Sequence, residues 1–539
     1  MHPFLTLHNP TAARRYYAQG CWREQTLYDL LATHAAARPD APAARDATRT
    51  LSWRELLAWV DGTAAHLRGL GLVGGDRVSI WMSSRLEVLV TFLACSRERI
   101  ACNPSLHRTY TASEVAALLD TLRSAALLTE PGWDAERLAD PIARFSGLGT
   151  LKAVLTPENF PPPGTVAHPP GNDPDSVVYL AFTSGTTGRP KCVMHSDNTL
   201  LANARDLVRD WGHDEQTSIL SLSPLSHHIA WVAVAQWLVC GGMFNIGEPP
   251  PGLSRLDWLI ETRATYVLGV PTHAMDVLAE QRARGVASLG HVRTFYMAGA
   301  PIPPVVAESF ARQGIAPQNI YGMSENSSHQ YTHPDDPPDI ATGTCGRGGP
   351  AYEVAIFDPA DRDRRLGPGE AGEIGGRGAA LMLGYFDNQR ATEASFNRDG
   401  WFLSGDLGML DAAGNLTILG RSKDLIIRGG HNIHPSDIEA RALRNPAIRA
   451  AAAFAVPDDR LGEKVCLAVI GEADPAAILA HLAAEGLSRY DMPEYIMPMT
   501  AFPLTASGKI LKRELQAQVT RGELQPLPVR YRPTNEGTA

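Results

Sequence analysis

The chain has 539 residues, 44% of them hydrophobic and 20% charged, which is too long for one core and too apolar for a disordered polymer, so two or more globular domains are expected. A formal net charge of -9 gives no general attraction to nucleic acid or anionic membranes, so any phosphate chemistry must rest on local cationic groups. The seven cysteines are scattered without a Cys-x-x-Cys pair, which argues against a zinc site or a disulfide framework and fits a reducing compartment.

The opening residues show no basic stretch followed by an apolar one, and no run of about 18 apolar residues is present. Neither a signal peptide nor a membrane span is read, and a cytoplasmic location is expected. From Trp22 to Leu70 the pattern is helices around one extended segment. Thr26 to Leu31 opens a helix, Pro39 to Pro42 breaks it, and Ser52 with Glu55 three residues on reads as the N-cap of the next. Gly74 to Trp81 is a turn feeding a strand. Helix and strand signals then alternate to about residue 300, as helices packed on largely parallel sheets require. Pro161 to Gly164 and Pro169 to Gly171 read as an exposed connection.

The buried-strand run Val177 to Ala181 leads into Phe182-Thr183-Ser184-Gly185-Thr186-Thr187-Gly188-Arg189-Pro190-Lys191. Glycines free backbone N–H groups, hydroxyls donate to phosphate oxygens, and the cationic ends neutralise a polyphosphate. The loop suits nucleotide phosphates, although the same composition suits a polar hairpin. It is not a Walker A loop, because Gly188 is followed by Arg189-Pro190-Lys191.

Further on, Ser223 to Trp231 is a turn entering an apolar helix and carries His227 and His228. Val267 to Thr272 reads as a strand end and turn, as does Phe295 to Pro301, where the small residues Ala298, Gly299 and Ala300 leave room for something flat. Asn319-Ile320-Tyr321-Gly322-Met323-Ser324-Glu325-Asn326 lacks Gly-x-Ser-x-Gly, so no nucleophile elbow is read there. Gly400 to Gly408 sets Asp406 among glycines, and Leu419 to Gly430 has the composition of an inter-domain linker. Beyond it, a small α+β unit is expected, with a Ser436–Glu439 capping box opening a helix, strands at Ala451–Val456 and Lys464–Ile470, and a loosely ordered tail from about Thr520.

The string Thr183–Lys191 resembles, letter for letter, the phosphate loop of the adenylate-forming enzymes (acyl-CoA synthetases, luciferases and peptide-synthetase adenylation domains). The resemblance runs from about residue 50 to 515 with five motifs in family order, closest to acyl- or aryl-CoA ligases. Arg14 to Trp22 is similar to the opening of aryl-acid AMP ligases and cyclohexanecarboxylate-type CoA ligases. Arg97-Glu98-Arg99 departs from the glycine-containing helix end usual in the family.

The resemblance implies an α/β fold with a large N-terminal domain of helices packed on β-sheets, residues 1–421, and a small mobile C-terminal α+β domain, residues 422–539. It implies ATP, Mg²⁺ and CoA as cofactors and co-substrates. Thr183, Ser184, Gly185, Thr186, Thr187, Gly188 and Lys191 would hold phosphates. Ala298, Gly299 and Ala300 would form the adenine slot, with Tyr321 and Gly322 beside it. Ser324, where threonine is usual, would touch the α-phosphate and Glu325 would hold Mg²⁺. Asp406 and Arg421 would meet the ribose, while His227, His228 and Met323 would border the acyl pocket. Lys509, in Pro503-Leu504-Thr505-Ala506-Ser507-Gly508-Lys509, matches the catalytic lysine; Lys423 would be the hinge, and Gly429 and Gly430 the wall of a pantetheine tunnel.

The implied reaction is acyl-adenylate formation followed by thioester formation. The pocket segment Trp231 to Ala235 lacks the aspartate an amino-acid substrate would meet, and no asparagine lies near His228 for a dihydroxybenzoate. An apolar aryl, alicyclic or medium-chain acid is therefore expected. Because no carrier domain follows the lysine helix, free CoA is the expected acceptor, with loading of a carrier protein as the alternative. A homodimer stays open, as do a non-catalytic nucleotide or acyl-adenylate sensor and luciferase-like oxidation.

Overall fold

The computed structural model describes residues 4–133, 145, 147–183, 190–504 and 510–531. It divides into two compact units, one of residues 1–354 with 376–402 and one of residues 355–375 with 403–539. The chain crosses between them within the strands Tyr352–Phe357 and Gly372–Gly378 and again after Phe402.

The first unit holds an eight-stranded sheet in the order Ser327–Tyr331, Ala316–Met323, Thr294–Ala298, Tyr266–Gly269, Ser218–Ser221, Met243–Ile246, Pro42–Arg45 and Thr50–Ser52. Its inner pairs are parallel and its two edge pairs antiparallel. A six-stranded sheet runs Ala153–Leu155, Ala126–Thr129, Arg77–Trp81, Ala101–Asn103, Val177–Thr183 and Lys191–Ser196, parallel up to its last pair. The expected helices on largely parallel sheets are present, since parallel neighbours need helical crossovers. Thr26 with Asp29 and Ser52 with Glu55 form the capping boxes of the first long helices, each cap contributing about 1 kcal/mol. One core joins strands of both sheets to the helices Leu86–Glu98, Asp197–Trp211 and His228–Cys240.

The charged end of the Leu86–Glu98 helix is absorbed by ion pairs. Arg99 takes the left-handed conformation (φ 56°) that the family's glycine would favour, and its guanidinium meets the fully buried Asp197 carboxylate at 2.6 Å. Arg97 pairs with Asp61 at 3.1 Å and Glu98 at 2.6 Å, and Glu98 meets His168 at 2.9 Å. The proline-rich connection differs from expectation. Pro162 and Pro163 are exposed, but Pro161 is buried, accepts from the Trp59 indole at 2.8 Å, and Gly164 N–H donates to Ala58. The segment lies along the Trp53–Gly69 helix because Gly62 offers no Cβ to keep it away.

The second unit carries a sheet ordered His431–Ile433, Ile426–Arg428, Gly462–Gly471, Tyr495–Pro498 and Leu527–Pro528, with Ile448–Asp458 also paired to Gly462–Gly471. The strands expected near 451 and 464 are there. The Ser436–Glu439 capping box is not: Pro435 occupies the first helical position with His434 as N-cap, because its fixed φ suits a helix start. Ser436 lies inside the turn and donates to the Leu419 carbonyl. Glu439 instead accepts from Ala453 N–H at 2.6 Å and pairs with Lys512 at 2.6 Å. The tail also departs from expectation, since Leu527–Pro528 pairs with Tyr495–Pro498 and Val529 and Tyr531 pack on the core. Apolar residues at alternate positions, Leu527, Val529 and Tyr531, supply a strand period within a polar composition.

Candidate active site

In open α/β sheets ligands gather at the carboxyl ends of the strands. At that edge of the eight-stranded sheet, Thr294–Ala298 gives way to Gly299 and Ala300, both exposed. Gly299 has φ 88°, and a Cβ there would meet nothing within 4 Å, so the glycine answers to backbone conformation. On the neighbouring strand Ala298 pairs with Ile320, so Tyr321 follows directly beside the small segment. The Tyr321 ring is buried and stands edge-on to His329, centroids 5.5 Å apart. Gly322 is required by close approach, because a Cβ would lie 1.8 Å from the Ser327 carbonyl oxygen.

The turn after Tyr321 is held from several sides. Met323 N–H donates to the Asn326 side chain at 3.1 Å, and Ser327 closes the turn at φ 56°. Glu325 is buried, accepts from the Tyr385 hydroxyl at 2.9 Å and receives Met382 N–H on its backbone carbonyl at 2.7 Å. Burial, together with the Glu325 charge, pushes the Tyr385 phenol well above its usual range, so it stays a donor. The Lys191 ammonium lies 4.5 Å from the centre of the Tyr385 ring. The Ser324 carbonyl accepts from His195 Nε2 at 2.6 Å.

Lys191 and Thr183 face each other as the last pair of an antiparallel hairpin. They form the feet of the candidate phosphate loop, while Ser184, Gly185, Thr186, Thr187 and Gly188 lie outside the described residues.

His227 stands at the N-cap position of the His228–Cys240 helix, and its ring lies 4.5 Å from that of His107. His107 is buried, and desolvation lowers its imidazole to about 3. His228 uses both nitrogens, Nδ1 to the Tyr179 hydroxyl at 3.0 Å and Nε2 to Ser327 Oγ at 3.1 Å, and burial beside His195 lowers it to about 3. His228 therefore ties the helix start to the turn of Ser324 and Glu325. Ala230 to Leu238 are buried throughout, and Met323 is half-buried at the strand end.

In the second unit, Asp406 and Arg421 are cross-strand partners, with Arg421 Nε 3.2 Å from the buried Asp406 carboxylate. Lys423 is exposed in the short turn Ser422–Asp424. Gly429 and Gly430, at φ 59° and 86°, form the two-residue loop of a hairpin whose closing pair is Arg428 and His431. That loop needs positive φ at both positions. Lys509 lies outside the described residues; Leu504 and Ile510 on either side of its segment bridge antiparallel.

A single buried carboxylate at Glu325 fits Mg²⁺, which takes one or two carboxylates with substrate phosphate oxygens and water. Among the described residues no group of three His, Cys, Asp or Glu forms a cage by itself. His195 and Tyr385 escaped the sequence reading, since neither lies in a motif and both act on residues far along the chain.

Residues 31–386 match the family model of AMP-binding enzymes and residues 437–509 that of the AMP-binding enzyme C-terminal domain. The 2-hydroxy-7-methoxy-5-methyl-1-naphthoate–CoA ligase of Streptomyces carzinostaticus is 30% identical over 94% of this chain and 96% of that protein. The salicyl-AMP ligase / salicyl-S-ArCP synthetase of Mycobacterium tuberculosis is 30% identical over 94% and 93%. The crystal structure of ATP-bound MatB from Rhodopseudomonas palustris matches with a TM-score of 0.81 at 27% identity, covering 91% of this chain and 98% of that one. No helix among the described residues is long and apolar enough to cross a membrane. The chain belongs to the AMP-binding family of adenylate-forming enzymes.

Proposed function

We propose that the protein is an AMP-forming acid–CoA ligase for an apolar carboxylic acid. The observation that carries this reading is the grouping, on one sheet edge, of the Ala298–Ala300 segment, Tyr321 and the Tyr385-held Glu325 carboxylate. Lys191 stands over the ring of that same Tyr385.

A carboxylate is a poor electrophile, because its leaving group would be oxide. In the first step a substrate carboxylate oxygen attacks the α-phosphorus of ATP. A new P–O bond forms, the bond to the bridging oxygen of the β-phosphate breaks, and pyrophosphate leaves. The nucleophile is already ionised, so no general base is needed. Tyr321 and Ala298 to Ala300 would hold the adenine and Asp406 the ribose. Thr183 and Lys191 would hold phosphate oxygens, with Lys509 supplying positive charge to the carboxylate and α-phosphate as the transition state forms. Mg²⁺, held at Glu325, would supply further charge to the phosphates. In the second step the CoA sulfur attacks the acyl carbonyl, the C–O bond to AMP breaks, and the thiol proton is released with AMP. We assign Gly429 and Gly430 to the thiol path and Lys423 to the hinge.

The buried apolar run from Ala230 to Leu238 supports an aryl, alicyclic or medium-chain acid, and the naphthoate–CoA ligase relative supports an aryl one. The salicyl-S-ArCP synthetase relative favours a carrier protein as a second acceptor reading. The test is carboxylate-dependent ATP–pyrophosphate exchange across aryl, alicyclic and linear acids, with and without CoA. Exchange that turns into acyl-CoA and AMP on adding CoA supports the ligase. Exchange without a CoA product points to a carrier, and no exchange with any acid overturns the catalytic reading.

A further inference from the structure

No motif marks His195, yet its side chain is fully buried beside the candidate site. It sits in the Lys191–Ser196 strand with Nε2 2.6 Å from the Ser324 carbonyl oxygen and Nδ1 3.0 Å from Thr199 Oγ1. A carbonyl can only accept, so Nε2 carries the proton and Nδ1 accepts from the Thr199 hydroxyl. Both nitrogens are thereby committed, and the ring is further fixed by stacking on His228, centroids 5.7 Å apart and planes at 21°. Burial lowers the imidazole to about 4, so it is neutral at any ordinary working pH.

The strand carrying His195 reaches the Ser324–Glu325 turn twice. At its other end Lys191 lies over the Tyr385 ring, and the Tyr385 hydroxyl holds Glu325. Between these points the strand is tied to the Tyr385 segment, Met194 N–H donating to Gly384 O at 3.0 Å, Leu383 N–H to Met194 O at 2.8 Å and Phe386 N–H to Cys192 O at 2.7 Å. A rigid element thus relates the foot of the phosphate loop to the turn that presents Ser324 and Glu325. Pinning the Ser324 carbonyl fixes the peptide plane between those two residues and the direction in which both side chains leave the backbone.

We infer that His195 is a positioning residue that holds the Ser324–Glu325 turn in its productive orientation by donating a hydrogen bond to the Ser324 carbonyl. The inference rests on the reading of Ser324 and Glu325 as nucleotide-contacting residues. Outer partners of this kind change metal affinity or activity by about 10- to 100-fold when removed.

The test compares His195→Leu with His195→Gln in the full chain; the glutamine amide N–H reaches the same carbonyl. Four readouts are needed: ATP–pyrophosphate exchange, thioester formation from a pre-formed adenylate, Mn²⁺ affinity with a non-reactive ATP analogue by electron paramagnetic resonance, and thermal melting. In His195→Leu, exchange and Mn²⁺ affinity should fall about 10- to 100-fold while thioester formation changes less than about threefold, with most of the loss recovered in His195→Gln. Equal loss of both half-reactions, no recovery in His195→Gln, or no loss at all would overturn the inference. Should His195→Leu not fold, His195→Asn replaces it, since its shorter amide does not reach Ser324 and should leave Mn²⁺ affinity low. Glu325→Gln separates the two levels of the argument: unchanged exchange and Mn²⁺ affinity in that variant would remove the underlying reading of the turn, whatever His195 does.

Discussion

The Tyr385 hydroxyl donates to the Glu325 carboxylate at 2.9 Å across 60 residues of sequence, and the Lys191 ammonium rests 4.5 Å from the centre of the same ring. A hydrogen bond to a charged group is worth about 1.5–3 kcal/mol. Tyr385→Phe keeps the ring beneath Lys191 and removes only the donor. Its rate of ATP–pyrophosphate exchange should fall about 10- to 100-fold. An unaltered rate would show that Glu325 is oriented without Tyr385.

Lys509→Ala should nearly abolish formation of the adenylate from acid and ATP while sparing thioester formation from a pre-formed adenylate. Single-turnover measurements of each half-reaction decide it. Equal loss of both would refute the division of labour.

Gly430→Leu should slow the CoA half-reaction while exchange continues. Because Gly430 has φ 86° and open space around its Cβ position, part of the effect of any substitution is conformational, about 1–2 kcal/mol for a left-handed L-residue. Gly430→Asn, which tolerates that region better, is the control, and it should retain more CoA ligation than Gly430→Leu. Exchange falling in parallel with ligation would sink the tunnel assignment.

Acid should destabilise the fold through buried imidazoles. His195 is lowered to about 4, and His107 and His329 to about 3, chiefly by desolvation and at His107 also by the neighbouring His227, while an unfolded histidine titrates near 6.5. The unfolded chain therefore binds more protons below about 6.5, and stability rises with pH there. The stabilisation is complete above about 6.5 and is lost as pH falls through the folded values, each group contributing up to about 1.4 kcal/mol per pH unit. Denaturant midpoints at pH 7 and pH 5 measure this, and His195→Gln should flatten the slope. Equal midpoints at both pH values would contradict it.

What was legible in the sequence was carried by contiguous motifs at strand ends. The Thr183 and Lys191 strand ends, the Tyr321-Gly322 strand end and the Asp406 strand were readable because strand and turn signals share a few neighbouring residues. Partners brought together only by the sheets stayed hidden. His195 meets Ser324 across 129 residues, and Asp197 meets Arg99 across 98, so no local pattern contains either pair. Ser436 and Glu439 misled for a different reason: their spacing suits a cap, but Pro435 had already taken the helix start. Alternating apolar residues anchored a tail whose composition reads as loose.

Arg99 and Asp197 bear on how this chain can be recombined with its relatives. Asp197 is wholly buried and Arg99 nearly so, and leaving one such charge without the other costs about 3–5 kcal/mol. A chimera that puts a glycine in place of Arg99 would leave the Asp197 carboxylate without its guanidinium, and one that puts a neutral residue in place of Asp197 would leave Arg99 without its carboxylate. The two positions, 98 residues apart, must travel together in any graft, so a single crossover placed between them, which takes them from different parents, should be tolerated only when the second parent carries the same pair.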